Sequence, residues 1–386
     1  MAIPLKYNTG NLVARRASML LTILGIGVIN AVMLSMLALW HGVKKTTIAS
    51  GSPTDLIVMR ESAETELSSW VTREAYEIIR TIPGIAKATN GQPLVSPELV
   101  ILFKLPRRDS GNGSNVTVRG LTPAGLEMRA VKVIEGRVFK PGTSEVLVAK
   151  RIHDRFANTS VGDTFHFGTT DYHAVGVFDA AGTAFDSEIW VDESFLASAR
   201  KRNAYSTVLV RPADAAASKQ IVDAVRNDNR LKLQIKTERK YYEEQTSGLF
   251  GIIILVGFVT FFMVIGAILG TMNTMFSAIA SRTRELGTMR ALGFKRRAIL
   301  MSIVIESALV SLLGGVAGVL LALPINGIST GTTNFRTFSE IAFNFRVDGS
   351  VALTGIVIAL VAGVAGGLLP AVSAARMPIT KALREI

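Results

Sequence analysis

The chain of 386 residues carries a formal net charge of +12, contains no cysteine and has a mean hydropathy of +0.37. The lack of cysteine excludes thiol catalysis, cysteine-ligated zinc, iron–sulfur clusters and disulfides. The apolar residues are concentrated in a few long runs, which places much of the chain in lipid.

In chain order, residues 1–18 form a basic leading segment with Lys6, Arg15 and Arg16, followed by a first apolar run at 19–40. Further runs cover 249–276, 299–323 and 351–371. Each holds about 20 residues or more, enough to cross about 30 Å of hydrocarbon as helix. No small-x-small cleavage site closes the first run, so it reads as a span and not as a signal peptide. Between the last three runs lie a connecting loop at 277–298 and a short connection at 324–350, and a tail follows at 372–386. The leading segment, the loop and the tail together hold twelve cations against two acids, Glu285 and Glu385. Residues 41–248 and 324–350 are close to balanced. By the positive-inside rule both termini and the loop are cytoplasmic, and residues 41–248 lie outside.

The outer region reads as short strands mixed with a few helices, an α+β domain with its own core. Strands are predicted at Asp55–Met59, Leu99–Lys104, Asn115–Arg119, Glu145–Ala149, Thr164–Phe167, Tyr172–Phe178, Ile189–Val191 and Ser206–Val210. Helices are predicted at Thr72–Ile82, opened by a Thr cap and stopped by Pro83-Gly84, and at Pro212–Asn227. Arg107 to Ser114 reads as a hairpin tip. The charged stretch Leu231–Ser247 reads as a solvated helix running into the second span, with Lys240 and Glu244 at i,i+4. A stalk carrying motion out of the membrane is the functional alternative.

Chemistry-bearing motifs are scarce. No G-x-x-x-x-G-K-[ST], G-x-S-x-G or H-E-x-x-H occurs, so the sequence holds no standard phosphate loop, nucleophile elbow or zincin site. The four histidines lack metal-ligand spacing, although His166 and His173 flank a predicted hairpin. Nothing in the sequence brings Asp179, Asp186 and Glu188 together. The cations sit beside membrane spans without interleaved aromatics, which points to anionic headgroups and a cytoplasmic protein partner and away from nucleic acid. Within the spans the one acid is Glu306, read either as paired with a loop arginine or as a gating or proton-relay group. Gly314, Gly315 and Gly318 in the third span, and Gly363 and Gly367 in the fourth, allow close helix contact.

The most specific segment is the loop. Arg282 and Arg284 lead into Glu285-Leu-Gly287-Thr-Met-Arg290-Ala291-Leu-Gly293, which matches an E-x-G-x-x-[RK]-A-x-G signature. With it, from about residue 5 to the C-terminus, the chain resembles the permease subunit of an ABC transporter of the MacB/FtsX type. Glu306-Ser307, Leu312, Gly314-Gly315 and Gly318 resemble the family's third-span pattern, and Leu369-Pro370-Ala371 through Lys381–Arg384 its ending. Ile82-Pro83-Gly84-Ile85, Val118-Arg119-Gly120-Leu121-Thr122-Pro123 and Glu135-Gly136-Arg137-Val138-Phe139 resemble landmarks of the MacB-like periplasmic core domain.

The resemblance implies a four-helix membrane protein of the bacterial inner membrane, with the large α+β domain inserted between helices 1 and 2. Without a nucleotide-binding domain in these residues it resembles the separate-permease versions, including DevC-like exporters. It further implies a non-enzymatic subunit with no cofactor of its own, ATP and Mg being bound by a partner ATPase. Arg282, Arg284, Glu285, Gly287, Arg290, Ala291 and Gly293 would dock on that ATPase, with Leu286, Met289, Ala291 and Leu292 supplying an apolar face. The implied assembly is a homodimer with two ATPase subunits, a periplasmic adaptor and an outer-membrane channel. Its implied task is mechanotransmission, driving efflux of a lipid, lipopeptide, antibiotic or similar amphiphile. The alternatives are an FtsX-like transducer activating a cell-wall hydrolase and a lipoprotein-releasing permease.

Overall fold

The computed structural model describes residues 16–245, 250–333 and 337–380. Readings that involve Lys6, Arg15, the 246–249 junction, or the tail from Lys381 onward lie outside the described residues. In chain order the helices are α1 (Arg16–Ala49), α2 (Arg73–Ile79), α3 (Pro123–Arg129), α4 (Lys150–Arg155), α5 (Glu193–Ala199), α6 (Ala215–Asn227), α7 (Glu238–Gln245), α8 (Phe250–Ala280), α9 (Thr283–Ala291), α10 (Arg296–Ala322) and α11 (Gly349–Arg376). The strands are β1 (Leu56–Arg60), β2 (Val71–Thr72), β3 (Val95–Pro106), β4 (Gly113–Leu121), β5 (Lys132–Gly136), β6 (Glu145–Ala149), β7 (Thr164–Phe167), β8 (Thr170–Asp179), β9 (Glu188–Asp192), β10 (Ala204–Tyr205), β11 (Thr207–Val210), β12 (Leu233–Thr237), β13 (Ser329–Thr333) and β14 (Glu340–Asn344).

Two compact units result. One gathers the stretches Met1–Gly42, Gly251–Ile328 and Phe345–Ile386, the other Val43–Phe250 and Ser329–Asn344. The first unit is helical. Four segments, Met19–Ala49, Gly251–Ala280, Arg296–Ile325 and Gly349–Arg376, are long and apolar enough to cross a membrane. Each helix therefore exceeds the span read from hydropathy, because a helix continues past the apolar boundary until a cap or turn stops it.

Small residues set how closely these helices approach. A methyl group on Gly314 of α10 would lie 2.6 Å from Ile26 Cγ2 of α1, and one on Gly318 would lie 2.7 Å from Asn30 Cβ. Gly315 faces the other way, toward Ala359 of α11. On α11 the space beside Gly363 is filled by Ser311 and that beside Gly367 by Ser307, so any side chain there would collide with α10. No hydrophobic drive joins helices within lipid, so this backbone proximity and the dispersion contact that it permits hold the bundle. Asn30, itself buried, adds a polar tie by donating from Nδ2 to the Gly315 carbonyl at 2.9 Å.

The second unit is built on a ten-stranded mixed sheet in the order β12-β1-β11-β3-β4-β9-β6-β8-β5, with β7 paired to β8. β4–β9 and β6–β8 are parallel and the other pairs antiparallel. The unbroken apolar run of β1 reflects burial on both faces. Leu56 and Val58 enter one core with Ile79, Val208 and Ile221, while Ile57 and Met59 enter the other with Phe103, Trp190 and Leu209. α2 starts where the Thr72 side chain accepts from Ala75 N and is shorter than predicted. α6 starts at Ala215, since Asp214 caps it by accepting from Ala217 N at 2.7 Å.

The Leu231–Ser247 stretch is not one solvated helix. Leu233–Thr237 pairs with β1, and among its described residues only Glu238–Gln245 is helical, with Glu238, Tyr241, Tyr242 and Gln245 buried. Ion pairs join Lys236 to Glu244 and Arg239 to Glu243. Alternating Leu233, Ile235 and Thr237 carry the strand period, with the polar Gln234 and Lys236 between them. The connection 324–350 also holds more than a loop. Its β13–β14 hairpin joins the second unit, where Glu340 pairs with Arg107 at 2.5 Å and Arg155 at 2.6 Å and accepts from Ser114 Oγ at 2.6 Å.

The interior holds a charged cluster. Arg119 of β4 directs its guanidinium to Glu66, Glu98 and Glu188 at 2.6 to 2.8 Å, and Arg129 of α3 reaches Glu98 and Glu238 at 2.7 and 3.1 Å. All six side chains are nearly inaccessible to water.

Nearby on α5, Glu193 is buried, and its Oε1 has no hydrogen-bond partner among the described residues. Burial raises its pKa to about 7, opposed by Arg73 and assisted by Asp192. The unfolded carboxyl titrates lower, near the usual carboxylate range. Folding stability from this group therefore falls as pH rises through that range to about 7 and levels off above. Glu193→Gln is expected to raise the melting midpoint of the full chain at pH 8 by a few degrees and to change it little at pH 5. Equal shifts at the two pH values in differential scanning fluorimetry would contradict this assignment.

Candidate functional site: the basic connector helix

The cationic loop between α8 and α10 folds into a helix of its own. The α8 ladder ends in a turn, with Ser281 N donating to Ser277 O and Arg282 N to Ile279 O, and α9 begins at Thr283. At its far end Gly293 N donates to Arg290 O at 3.1 Å and Phe294 N to Met289 O at 3.2 Å. This pair of bonds closes a helix in the Schellman manner, and it requires a left-handed residue between them. Gly293 supplies it with φ of +95°. The last glycine of the E-x-G-x-x-R-A-x-G string is thus the stop signal that lets α10 start again at Arg296.

Three residues at i, i+4 and i+8 bind α9 inward. Arg282, at its N-cap, is buried and pairs through Nη2 with Glu306 Oε2 of α10, itself buried. Leu286 enters an apolar cluster with Ile279, Ile299, Ile303, Ala371 and Ala374, so α8, α10 and α11 all contribute. Arg290 Nη1 donates to Ala375 O at 2.7 Å, in the last turn of α11, where a cation suits the negative end of the helix dipole. Gly287 is also buried, beside Leu286.

The outward face carries Arg284, Glu285, Thr288, Ala291 and Leu292, the last 72% exposed. Lys295, Arg296 and Arg297 are exposed at the start of α10. Cations there oppose the helix dipole, so their placement serves something other than helix stability.

The arrangement gives each residue singled out in the sequence a definite place. Arg282 faces Glu306 and not an outside partner, because an arginine this close to the apolar layer finds its nearest acid within the bundle. Leu286 is buried and Met289 partly so, leaving Ala291 and Leu292 as the exposed apolar portion. Of the two readings of Glu306, the geometry is that of pairing with a loop arginine. Gly314, Gly315, Gly318, Gly363 and Gly367 face neighbouring helices of the same chain.

Elsewhere the histidines and acids weighed from the sequence take separate partners. His166 and His173 make separate contacts, with Asp171 and Thr164 respectively, and both are exposed. Asp186 accepts from the Ala180 and Gly182 amides, while Glu188 serves Arg119 and Trp190. Among the described residues no group of His, Asp and Glu is arranged to hold a metal ion. The Arg119 cluster is absent from the sequence reading. Its one signal is an arginine at an inward position of an apolar strand, since its partners at 66, 98 and 188 follow no spacing.

Comparison with known proteins adds two matches to family models, an FtsX-like permease C-terminal region over residues 257–379 and a MacB-like periplasmic core domain over residues 19–228. The macrolide export ATP-binding/permease protein MacB of Pasteurella multocida is 26% identical over 395 residues, which cover 96% of this chain and 58% of the relative. The pyoverdine export ATP-binding/permease protein PvdT of Pseudomonas fluorescens is 25% identical over 396 residues, 95% of this chain and 57% of the relative. The chain therefore spans less than three fifths of the length of these relatives. The solved periplasmic region of MacB from Actinobacillus actinomycetemcomitans is 13% identical, covers 50% of this chain and 92% of that one, and superposes with a TM-score of 0.39.

Removing one member of the Arg282–Glu306 pair strands the other in a low-dielectric site, at a cost of about 3–5 kcal/mol. Arg282→Met and Glu306→Met are each expected to lower the unfolding temperature of the detergent-solubilised chain, and the double variant to recover most of the loss. Additive losses in the double variant would show that the pair is not coupled.

Proposed function

We propose that this chain, which belongs to the MacB/FtsX type of ABC transporter permease, passes the work of ATP hydrolysis by a separate ATPase subunit from α9 to its outer domain, driving export of an amphiphile. The observation that carries this reading is the three-point attachment of α9. A force on its exposed face reaches α10 through Arg282–Glu306, α8 through the Leu286 cluster and α11 through Arg290–Ala375. Helices in close contact through Gly314, Gly318, Gly363 and Gly367 move together and do not deform separately.

Arg284, Glu285, Ala291 and Leu292 form the docking face for the ATPase, a small apolar centre with a polar rim. Lys295, Arg296 and Arg297 lie beside it and face anionic headgroups or acids of the ATPase. The distribution of cations supports cytoplasmic termini, with α9 on the cytoplasmic side and residues 41–248 outside. Two copies of the chain with two ATPase subunits form the working assembly, and a periplasmic adaptor hands the cargo on. Export of macrolides and pyoverdine, the tasks in the names of the two relatives, favours an amphiphilic cargo.

The test is ATPase stimulation in a complex reconstituted from the chain and its ATPase. Glu285→Ala, Arg290→Ala, Gly287→Leu and Leu292→Asp are each expected to reduce stimulation about ten-fold or more, the worth of one or two lost contacts at about 1.4 kcal/mol per factor of ten. The outer domain should keep its native melting transition. Unchanged stimulation and assembly in all four would overturn the proposal.

A further inference from the structure

The second unit carries an open groove of about 640 Å³, the size of a site for a drug-sized molecule. Leu67, Leu102, Phe167 and Phe338 make its apolar part, and Arg200 and Arg202 its charged part. Among the described residues no acid lines it. At one edge it shares Leu67, Val100 and Thr337 with a cavity of about 60 Å³ beside the Arg119 cluster.

The two arginines are placed by the end of α5. Lys201 N donates to Ser198 O at 3.1 Å and Arg202 N to Ala197 O at 2.9 Å, a Schellman closure around Lys201, which is left-handed with φ of +52°. A cation near a helix C-terminus favours the helix, but that effect needs no fixed side-chain position. Arg200 has one. Its guanidinium lies 4.1 Å from the centre of the Phe167 ring and 5.1 Å from that of Phe103, and Nη2 donates to Phe167 O at 3.2 Å. A methyl group on Gly168 would lie 3.0 Å from its Nη1. A guanidinium held in this way loses little freedom on meeting an anion. Most arginines of this unit pair with an acid, as Arg107, Arg137 and Arg211 do. Arg200 and Arg202 pair with none among the described residues, and Arg202 is exposed.

A second, independent observation lies at Phe338. This residue is 63% exposed and sits at φ of +53°, with its carbonyl accepting from Asn115 Nδ2 at 3.0 Å. A bulky aromatic residue in the left-handed region is strained, and such strain gathers at binding sites, where the surrounding structure holds it in place. Glycine would suit the backbone better, so the strained turn serves to present the ring. An exposed ring at a groove is stabilised only when something apolar covers it.

We infer that this groove binds an amphiphile with a carboxylate head, the carboxylate accepting from Arg200 and Arg202 and the apolar body lying over Leu102 and Phe338. The planar guanidinium fork matches a carboxylate edge to edge, which decides the head group. This deepens the export reading by giving its cargo a charge, and rests on it for its biological sense. Binding is measured without the ATPase, so failure at the groove and failure of coupling at α9 are separate results.

The experiment is isothermal titration calorimetry of the full chain in phosphatidylcholine nanodiscs, with the heats from empty nanodiscs subtracted. The probes are 4-phenylbutyrate, 4-phenylbutanol, 4-phenylbutylammonium, acetate and inorganic phosphate, in Tris chloride buffer. 4-Phenylbutyrate is expected to bind at least about ten-fold more tightly than each of the others, the worth of one hydrogen bond between charged groups. Arg202→Gln should weaken it about ten-fold, toward the affinity of the alcohol. Phe338→Gly should weaken it about three-fold or more without lowering the melting midpoint, because the strain leaves with the ring. Equal binding of the alcohol shows that charge plays no part, and tighter binding of the ammonium probe shows the opposite selectivity. Acetate or phosphate binding as tightly as 4-phenylbutyrate reduces the groove to a site for small anions. Any of these, or an unaltered affinity in either variant, overturns the inference. The probe series on the native chain decides the matter if a variant fails to fold.

Discussion

A single ion pair sets the geometry of the connector. Either Arg282 or Glu306 alone would cost roughly 2.5–3.5 kcal/mol at the centre of an apolar layer, and less near its edge. Paired, each satisfies the other, and the start of α9 is pinned to one turn of α10. The rest of α9 follows from that point by helical period. Leu286 falls one turn on, over the apolar cluster, and Arg290 a further turn on, beside the last carbonyls of α11. Arg284, Glu285, Thr288, Ala291 and Leu292 face outward because the inward positions are already taken.

The second unit solves a related problem in a water-soluble setting. Arg119 joins β4 to β3 through Glu98, to β9 through Glu188, and to the turn at Glu66. Such a cluster is weak evidence for stability, since apolar residues of equal volume often do as well. It does fix register, because a one-residue slip of β4 would turn Arg119 to the other face and take the guanidinium from Glu66 and Glu188.

Membrane helices and core strands were legible because their signals are local. Runs of apolar residues mark the spans, and strands such as Glu145–Ala149 and Thr164–Phe167 are bounded by turn residues. The same locality exposed Gly293 as part of a motif, although its role as a left-handed helix stop needed the backbone. Three things were not legible. The strand Leu233–Thr237 was masked by its polar residues Gln234 and Lys236 and by the charged residues that follow it, and the β13–β14 hairpin by the polar composition of a short connection. The third is the inward face of α9: a loop arginine was a candidate partner for Glu306, but no spacing rule selects Arg282, 24 residues away, among the arginines of the loop.

The β13–β14 hairpin makes the outer unit discontinuous. The chain passes between the two units at four places, near residues 42, 250, 328 and 344. A fragment cut at the first two of these crossings, from 43 to 245, would lose Glu340 and leave Arg107 and Arg155 without that acid. It would also lose Thr337, Ser339 and Glu340 from the wall of the cavity beside Arg119. The outer unit is therefore completed only once the chain has been made through the third span and on to Asn344, so its final assembly waits on the segment that follows that span.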